Sequence, residues 1–451
     1  MNSSDVICAI STPPGTGGIG VIRVSGKNSI LVADKVFNAS NKKSLLSQKK
    51  GTFCYGSIID DKGRKIDNCL ALIMHNPHSY TGENTIEFQT HGGPVVLRMV
   101  LAKILNAGAR LAEPGEFSKR AFLNGKIDLT QAEAISDLIN AKSNKAAYMA
   151  IEQLEGSLSL TIDKIYNNLL EITANLETTI DFIEDELPDD VFSNIIEIYN
   201  NSKNDLRNLL LTWNQGRVLR DGVDVVILGK PNAGKSTLLN NLLGYDRAIV
   251  SDIKGTTRDI IEENYILDGV LLRLKDTAGL RNTSCTIEKE GIKRAKLSSK
   301  RSDYILYIID ASVKPDEDEL EKIKNFPIDK TLIILNKIDQ GCYVDIKNSV
   351  KVSLINGNIT DLKNRLSELI FKNSEEIDAF TMISERHKLL LDDVFKELEL
   401  IDNLLNLNIE EKAVVICNHL RNALDLIGRI TGRVYHDELL DNIFSRFCIG
   451  K

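Results

Sequence analysis

Nine residues near the middle of this 451-residue chain, residues 229–237 (Gly-Lys-Pro-Asn-Ala-Gly-Lys-Ser-Thr), have the types and spacing of a phosphate-binding loop. An apolar, β-branched run precedes them and a helical pattern follows them. A glycine-rich loop between a strand and a helix points backbone N–H groups at an anion. Lys235 would reach the outer phosphates, and the Ser236 hydroxyl would bind Mg²⁺. The segment therefore predicts a nucleoside triphosphate site formed by Asn232, Ala233, Gly234, Lys235, Ser236 and Thr237.

Two later motifs point to guanine as the base. The segment Asp276-Thr277-Ala278-Gly279 ends a second apolar run, where the carboxylate can hold Mg²⁺ through water and the glycine N–H can touch a terminal phosphate. The segment Asn336-Lys337-Ile338-Asp339 ends a third apolar run. The Asp339 carboxylate can accept hydrogen bonds from guanine, whereas adenine would leave it unpaired. Alone this tetrapeptide is more often a surface turn, but after the other two motifs it indicates GTP.

A fourth segment, Gly255-Thr256-Thr257-Arg258-Asp259, lies between the phosphate loop and Asp276. Thr257 is placed to complete the coordination of Mg²⁺ and to sense the γ-phosphate, as the switch loops of GTPases do. The alternative interpretation of this segment is an ordinary polar loop.

The composition limits the compartment and the partners. The net charge is −7, whereas proteins that bind nucleic acid through their overall charge are positively charged. An RNA partner would therefore need a local basic patch or a second protein. The seven cysteines are dispersed without C-x-x-C spacing, which favours a reducing cytosol over a disulfide framework. No apolar run approaches the length of a membrane span. These features predict a cytoplasmic protein.

Apolar periodicity divides the chain into four predicted stretches. Residues 1–120 mix short strand-like runs (6–9, 20–24, 69–74 and 85–89) with a helix near 95–106 and predict a small α/β domain. Residues 121–217 and 376–451 carry apolar side chains at spacings of three and four, which is typical of helices. Residues 218–375 alternate strands and helices, as in a doubly wound parallel sheet, and interrupt the helical part. The predicted helical stripes are Leu154, Leu158, Ile162, Ile165, Leu169, Ile172, Leu176 and Ile180; Leu390, Val394, Leu398, Ile401 and Leu405; and Cys417, Leu420, Leu424 and Ile427.

Segments outside the phosphate loop resemble the MnmE (TrmE) family of tRNA wobble-uridine modification GTPases. They lie at both ends of the chain, so the resemblance spans its whole length and does not depend on the common phosphate loop. The segments are Thr12-Pro13-Pro14-Gly15, residues 17–26, Ser79-Tyr80-Thr81-Gly82-Glu83, His91-Gly92-Gly93-Pro94, residues 112–117, residues 120–126, and the closing Phe447-Cys448-Ile449-Gly450-Lys451.

The resemblance implies a folate-binding N-terminal domain through which the family dimerises, a helical domain and an inserted GTPase domain. It also implies a flavin-dependent partner of the MnmG (GidA) type in a heterotetramer. Together they would add a carboxymethylaminomethyl-type group to the wobble uridine of certain tRNAs, with 5-formyl- or methylene-tetrahydrofolate as the one-carbon donor. By similarity, the folate would contact Arg23, Glu87, Lys126 and Lys451, with Cys448 close by.

The resemblance further implies GTP hydrolysis that depends on potassium. Ras-like proteins carry a glutamine directly after this motif, but no glutamine follows the Asp276 motif here. A bound K⁺ would take the place of the arginine finger. Glu288 would orient the attacking water and Lys235 would hold the phosphates; spacing alone does not separate Glu288 from Glu290. The K⁺ ligands would be Asn232, Ser251, Ile253 and Thr256, the Mg²⁺ ligands Ser236 and Thr257, and the nucleotide loop Ser251, Asp252, Ile253, Lys254, Gly255, Thr256 and Thr257.

Two positions depart from the family pattern. The guanine-base loop usually reads Ser-Ala-Lys, but the candidate here is Ser353, Leu354 and Ile355, with a bulkier central residue. Asn282 stands where an acidic residue is commoner. Neither position belongs to the hydrolytic residues.

Two other functions remain open at this point. One is a GTP-binding switch in ribosome assembly or signalling, which would need an RNA-binding module; no G-x-x-G loop or basic tail is visible in the sequence. The other is a folate-dependent one-carbon transferase in which the GTPase acts as a timer.

Overall fold

The computed structural model describes residues 5–49, 51–181, 189–244, 262–276, 302–357, 359–371, 383–405 and 409–451. Contacts divide the chain into two compact units. Unit 1 comprises Met1–Ser136, Ile162–Tyr166 and Leu420–Lys451, and unit 2 comprises Asp137–Thr161 and Asn167–His419. The four domain boundaries drawn from the sequence stay predictions.

Unit 1 is built on a seven-stranded sheet with the order β3-β4-β5-β6-β2-β1-β7. Neighbouring strands are antiparallel, except for β1 and β7, which are parallel. Helices α1 (Ser29–Asp34) and α2 (Pro94–Asn106) contribute buried apolar side chains to the core on one face of this sheet. The strands are β1 (Ile7–Ile10), β2 (Gly17–Ser25), β3 (Phe37–Ala39), β4 (Thr52–Ile59), β5 (Lys65–Met74), β6 (Thr85–Gly92) and β7 (Arg110–Leu111).

The sequence predicted parts of β1, β2, β5, β6 and α2, but it missed β3, β4 and β7. Strand β4 is apolar on both faces, because Phe53 and Tyr55 are 72% and 54% exposed while Cys54 and Ile58 are buried. That composition hides the alternation by which a half-buried strand is detected. Strands β3 and β7 have only three and two residues, too few for a periodic pattern.

Helix α3 (Glu116–Leu123) is held in unit 1 by a buried network of ion pairs. The Glu116 side chain is 1% exposed and accepts hydrogen bonds from Arg110 (2.6 and 2.8 Å) and Arg120 (2.9 Å). Asp5, which precedes β1, pairs with the same two arginines at 2.6 and 2.7 Å. The network therefore joins α3 to the edge strand β7, which carries Arg110, and to Asp5 just before the neighbouring strand β1. It also fixes the next residue, Phe117, which is fully buried.

The helices outside the second sheet follow the predicted apolar stripes. In α6, Leu158, Ile162, Ile165, Leu169, Ile172 and Leu176 are buried, whereas Leu154 belongs to the preceding helix and is only half-buried. In α12, Val394, Leu398 and Ile401 are buried as predicted. Leu391 is buried in place of the predicted Leu390, and Leu405 is only half-buried. These helices are α4 (Leu129–Asn140), α5 (Asn144–Leu154), α6 (Ser157–Asp181), α7 (Asp189–Leu211), α8 (Trp213–Asp221), α12 (Glu385–Leu405), α13 (Ile409–Thr431) and α14 (Asp437–Phe444).

Helices α7 and α12 of unit 2 are joined by a polar contact as well as by apolar packing. The buried Tyr199 hydroxyl donates to the backbone carbonyl of Leu398 and to the Asp402 carboxylate. Burial raises the pKa of Tyr199 well above its ordinary value, and the adjacent Asp402 raises it further. The phenol therefore stays protonated and acts as a hydrogen-bond donor.

The second sheet, in unit 2, has the order β13-β12-β11-β8-β10-β9 and is parallel apart from the β9–β10 hairpin. Helices α9 and α11 pack on one face, and α10 packs on the other, which confirms the doubly wound prediction. The elements are β8 (Val223–Gly229), α9 (Lys235–Leu243), β9 (Glu262–Leu267), β10 (Val270–Asp276), β11 (Tyr304–Asp310), α10 (Glu317–Lys324), β12 (Thr331–Asn336), β13 (Ser349–Lys351) and α11 (Thr360–Phe371).

Ligand sites in such sheets lie beyond the carboxyl ends of the parallel strands. The phosphate loop follows β8 and the Asn336 motif follows β12, so both candidate motifs lie at that edge. None of the described helices is long and apolar enough to cross a membrane.

We expect Glu116→Ala to destabilise unit 1 by about 3–5 kcal/mol, because it leaves two arginines without their buried partner. Hydrogen exchange of β1 and β2 amides measures this opening separately from unit 2. The matched control is Glu113→Ala; the Glu113 side chain is exposed, so its removal should change the opening free energy by no more than about 0.5 kcal/mol.

The same variant has a defined pH dependence. Burial raises the pKa of Glu116, but hydrogen bonds from Arg110, Glu113 and Arg120 outweigh it and hold that pKa below its ordinary value. The carboxylate therefore contributes stability above its unfolded pKa of about 4.3, and this contribution is lost as pH falls through the folded pKa. The difference between wild type and Glu116→Ala should shrink on acidification; a constant difference would contradict the role of the charge.

Candidate functional site

The loop between β8 and α9 has the backbone shape that phosphate binding requires. Gly229 and Gly234 have φ values of +148° and +113°, a region that favours glycine. A Cβ atom at Gly229 would lie 2.3 Å from the carbonyl oxygen of Ile308 on the neighbouring strand β11. Asn232 also has positive φ, at +63°, and its side chain is exposed. The glycines are therefore required by this close-packed turn.

Helix α9 begins at the end of this loop, and its N-terminus points its first backbone N–H groups towards the loop. Its N-cap, Gly234, makes no side-chain cap hydrogen bond within the described part of the chain, and such a helix N-terminus can hold an anion. The Lys235 ammonium donates to the loop carbonyls of Gly229 and Lys230 at 2.8 and 2.7 Å. The exposed hydroxyls of Ser236 and Thr237 follow in the first turn. A lysine, a helix N-terminus and two hydroxyls thus meet at one place.

Asn336 connects the phosphate loop to the loop expected to read the base. Its side chain is 3% exposed, and its amide nitrogen donates to the Ala233 carbonyl at 2.8 Å. Its amide oxygen accepts from the Leu354 N–H at 3.1 Å. A Cβ atom at Gly234 would lie 2.3 Å from this amide nitrogen, so the glycine leaves room for the connection. The structure therefore brings two motifs, more than one hundred residues apart, into direct contact.

The bulky Leu354 fits the loop because its side chain points into the core of unit 2. It is 2% exposed and belongs to the cluster that includes Leu238 of α9. Its backbone carbonyl accepts a 2.7 Å hydrogen bond from the side chain of Asn241, also on α9. Sequence reasoning missed Asn241, because a single polar residue in a helix carries no signal of a partner 113 positions away.

The remaining guanine-motif residues lie around this connection. Lys337 has φ +64° and pairs with the Asp310 carboxylate at the end of β11. Burial would raise the pKa of Asp310, but hydrogen bonds from Lys337 and Ser312 lower it below its ordinary value. Asp339 is exposed on the short 3₁₀ turn Ile338–Gln340. The buried hydroxyl of Ser353 has no hydrogen-bond partner in the described part of the chain, whereas Ile355 is 73% exposed.

The remaining predicted site residues comprise Asp276 and residues outside the described ranges. Asp276 ends β10 in parallel register with Ile227 of β8, and only its backbone is described. The others lie outside the described residues: Ser251, Asp252, Ile253, Lys254, Gly255, Thr256, Thr257, Thr277, Ala278, Gly279 and Glu288. Glu290, the alternative to Glu288, and Asn282, which departs from the family pattern, lie outside them as well. No group of three or more potential metal-ligating His, Cys, Asp or Glu side chains occurs within the described ranges.

A second polar site lies on the sheet of unit 1. Arg23 of β2 and Glu87 of β6 are directly paired across the strands, with Nε and Oε1 2.7 Å apart. Their side chains are 14% and 18% exposed. The Arg23 guanidinium lies 5.1 Å from the Tyr80 ring centroid and 5.6 Å from that of Phe117. Its buried Nη1 has no hydrogen-bond partner among the described residues, which marks an unused donor in this site.

The C-terminal residues lie next to this pair. The Phe117 N–H donates to the Lys451 carbonyl at 3.2 Å, and the Ser11 hydroxyl donates to the Gly450 carbonyl at 3.2 Å. Burial, and then the nearby positive charge of Arg23, lower the pKa of the Lys451 ammonium below its ordinary value. Cys448 is exposed in the same closing segment. Arg23, Glu87 and Lys451 therefore form one polar cluster.

Lys126 is exposed and lies at a different loop of unit 1. Its ammonium donates to the Pro77 carbonyl at 3.2 Å, and a Cβ atom at Gly82 would lie 3.2 Å from its side chain. Tyr80 belongs to the same loop as Pro77 and Gly82, and its hydroxyl contacts Ser118 at 2.6 Å. Tyr80 thus links the surroundings of Lys126 to those of Arg23. In the sequence, Tyr80 is one residue of the motif at 79–83, and no local pattern indicates this link.

Comparison with known proteins covers both units. Residues 6–126 match the family model for the N-terminus of the GTP-binding protein TrmE, and residues 129–448 match the model for the MnmE helical domain. The tRNA modification GTPase MnmE of Clostridioides difficile strain 630 is 40% identical over the whole of both chains. The protein of the same name from Alkaliphilus oremlandii is 39% identical over the whole of both chains. That from Streptococcus pyogenes serotype M6 is also 39% identical, over 99% of this chain and 98% of its own.

The phosphate loop, its connection to the base loop and this full-length similarity agree with one another. The chain belongs to the MnmE (TrmE) family of tRNA modification GTPases.

Proposed function

We propose that this tRNA modification GTPase binds GTP with Mg²⁺ between the phosphate loop and the Asn336 motif. The observation that carries the proposal is the Asn336 side chain, which contacts both loops at once. Lys235 and the α9 N–H groups would hold the phosphates, and Asp339 would pair with the guanine edge. The unpartnered Ser353 hydroxyl supports a ligand at the same place. Ser236, with Thr257, would hold Mg²⁺, which supplies positive charge to the phosphates.

The hydrolytic step would depend on a bound potassium ion. Asn232 supports this proposal, because it is exposed in the phosphate loop at positive φ. It would share the ion with Ser251, Ile253 and Thr256, and the ion's charge would offset charge growth at the β–γ bridge. Glu288 would orient the attacking water. The Lys235 ammonium would leave the loop carbonyls and contact the phosphates, so the loop carbonyls act as its resting partners.

The polar cluster of unit 1 would bind a tetrahydrofolate. A pterin edge and a glutamate tail offer acceptors for cations and donors for a carboxylate, which matches Arg23, Lys451 and Glu87. The unpartnered Nη1 of Arg23 and its aromatic neighbours Tyr80 and Phe117 support a planar, polar ligand. Lys126 would contact the ligand from the Pro77 loop, with Cys448 close to it. The donor would be 5-formyl- or methylene-tetrahydrofolate.

The assembly we propose is a cytoplasmic homodimer formed through residues 1–120, joined by a flavoprotein of the MnmG (GidA) type. In this complex, GTP hydrolysis in residues 218–375 would drive movement of the helical parts, residues 121–217 and 376–451. The product would be a carboxymethylaminomethyl-type group on the wobble uridine of certain tRNAs. Full-length similarity to three proteins named tRNA modification GTPase MnmE supports this pathway.

We expect GTP hydrolysis to be faster in KCl than in NaCl of equal ionic strength. Asn232→Ala should lower the rate in KCl by about 10²-fold, the size typical for removing one stabilising group from a transition state. Its affinity for GTP should change little, because Lys235 and the α9 N–H groups remain. Steady-state phosphate release and nucleotide titration measure the two effects. Equal wild-type rates in both salts would reject the role of the ion.

We expect Lys451→Met to weaken binding of 5-formyltetrahydrofolate and to raise the thermal unfolding midpoint at pH 7. The folded pKa of Lys451 is lowered, so the fold bears a cost for the charged form below that pKa. This cost fades as pH rises towards the unfolded pKa of about 10.4, and the stabilisation should fade with it. Calorimetric titration and thermal unfolding measure the two effects. The exposed Lys62→Met is the control; a lower midpoint for Lys451→Met would indicate a merely structural role.

Nucleoside analysis of bulk tRNA tests the pathway itself. Cells that lack this protein should lose the wobble-uridine group, and the wild-type gene should restore it. Glu288→Ala should retain GTP and folate binding but fail to restore the group, because the hydrolytic water is not oriented. Full restoration by this variant would show that hydrolysis is dispensable, and an unchanged nucleoside profile in the deletion strain would reject the pathway.

A further inference from the structure

We propose that Asn241 is a positioning residue that sets the selectivity of the nucleotide site for guanine. It does so by holding the base loop, residues 353–355, against α9. The proposal deepens the proposed GTP site and rests on the assignment of that loop to the guanine base.

Two hydrogen bonds hold the backbone of Leu354, one at its N–H and one at its carbonyl. The Leu354 N–H donates to the Asn336 side chain at 3.1 Å, and the Leu354 carbonyl accepts from the Asn241 side chain at 2.7 Å. The apolar side chain of Leu354 is buried in the core beside α9. The backbone polar groups and the side chain of Leu354 are therefore all held, while Ile355, the next residue, is 73% exposed.

These contacts form a closed circuit around the nucleotide site. Asn336 joins Leu354 to the Ala233 carbonyl in the phosphate loop, and Asn241 joins Leu354 to α9. Helix α9 starts at Lys235, directly after the phosphate loop, so the phosphate loop, the base loop and α9 are all connected to one another. Asn336 alone would fix one side of the base loop. Asn241 fixes the other side and prevents the loop from turning about the Asn336 contact.

This circuit has a chemical consequence for the base. The Leu354 N–H is already bonded to Asn336, so the flanking backbone N–H groups of Ser353 and Ile355 would donate to O6 of guanine. In adenine an amino group takes the place of O6, and two donors would then face each other. Asp339 would read the other end of the base edge, where guanine carries an amino group and hypoxanthine has none. The base loop and Asp339 therefore contact different groups of the base. Nucleotides that differ in only one of these groups distinguish the role of the loop from that of Asp339.

Binding of GDP, IDP and ADP to the full chain tests the proposal. GDP and IDP both carry O6, so Asn241→Ala should weaken both by about 3- to 10-fold, the usual effect of one hydrogen bond. Their ratio should not change, and the weak competition by ADP should not change either. Asn241→Asp keeps the size of the side chain but cannot donate to a carbonyl, so it should weaken GDP and IDP at least as much.

Asn240→Ala is the matched control, because Asn240 is the preceding residue of the same helix and its side chain is exposed. It should leave the affinities for all three nucleotides unchanged. Equal weakening of GDP, IDP and ADP by Asn241→Ala would overturn the proposal, since it would indicate general damage to the site. Unchanged GDP affinity would overturn it as well. Wild-type protein that does not prefer GDP over ADP would reject the guanine site itself, and the proposal with it.

Discussion

The side-chain amide of Asn336 is the contact on which the nucleotide site depends. It is almost fully buried, and its donor and its acceptor each bind a backbone group of a different loop. Losing it would leave the Ala233 carbonyl and the Leu354 N–H without partners in the interior, where unpaired polar groups are costly. Both the phosphate loop and the base loop thus depend on one side chain at the end of β12. Their separation is fixed before any nucleotide binds, which lowers the ordering cost of binding.

The polar cluster of unit 1 differs from Asn336 in how its hydrogen-bonding groups are used. Arg23 and Glu87 are paired across neighbouring strands and are largely removed from water, yet the guanidinium keeps one buried donor unused. Lys451 is held beside them by contacts of the C-terminal segment, where its charged form is disfavoured. Such a cluster costs the folded protein free energy unless a ligand supplies acceptors. That cost supports the proposed folate site, and it distinguishes the cluster from the Glu116 network, whose carboxylate is bonded to Arg110 and Arg120.

The sequence predicted elements well where the apolar pattern had one period and enough length. The buried stripe of α6 and the strands of the parallel sheet belong to this group. It failed for β4, whose outward face is also apolar, and it chose Leu390 where Leu391 is buried. Leu390 and Leu391 are consecutive apolar residues, so the periodic pattern allows either one on the buried face. Only the packing of α12 against its surroundings decides which of the two is buried. The fit of the bulky Leu354 is likewise decided by packing, because its orientation depends on the core beneath it.

The sequence by itself determined the local chemistry of this protein. The turn of the phosphate loop, its lysine and hydroxyls, and the order of the guanine motifs are properties of short segments, so their spacing carries the information. The tertiary structure decided which distant groups meet. Arg23 and Glu87 are 64 positions apart, and Asn241 and Leu354 are 113 apart. Strand register and helix packing alone bring such pairs together, and no local pattern records them.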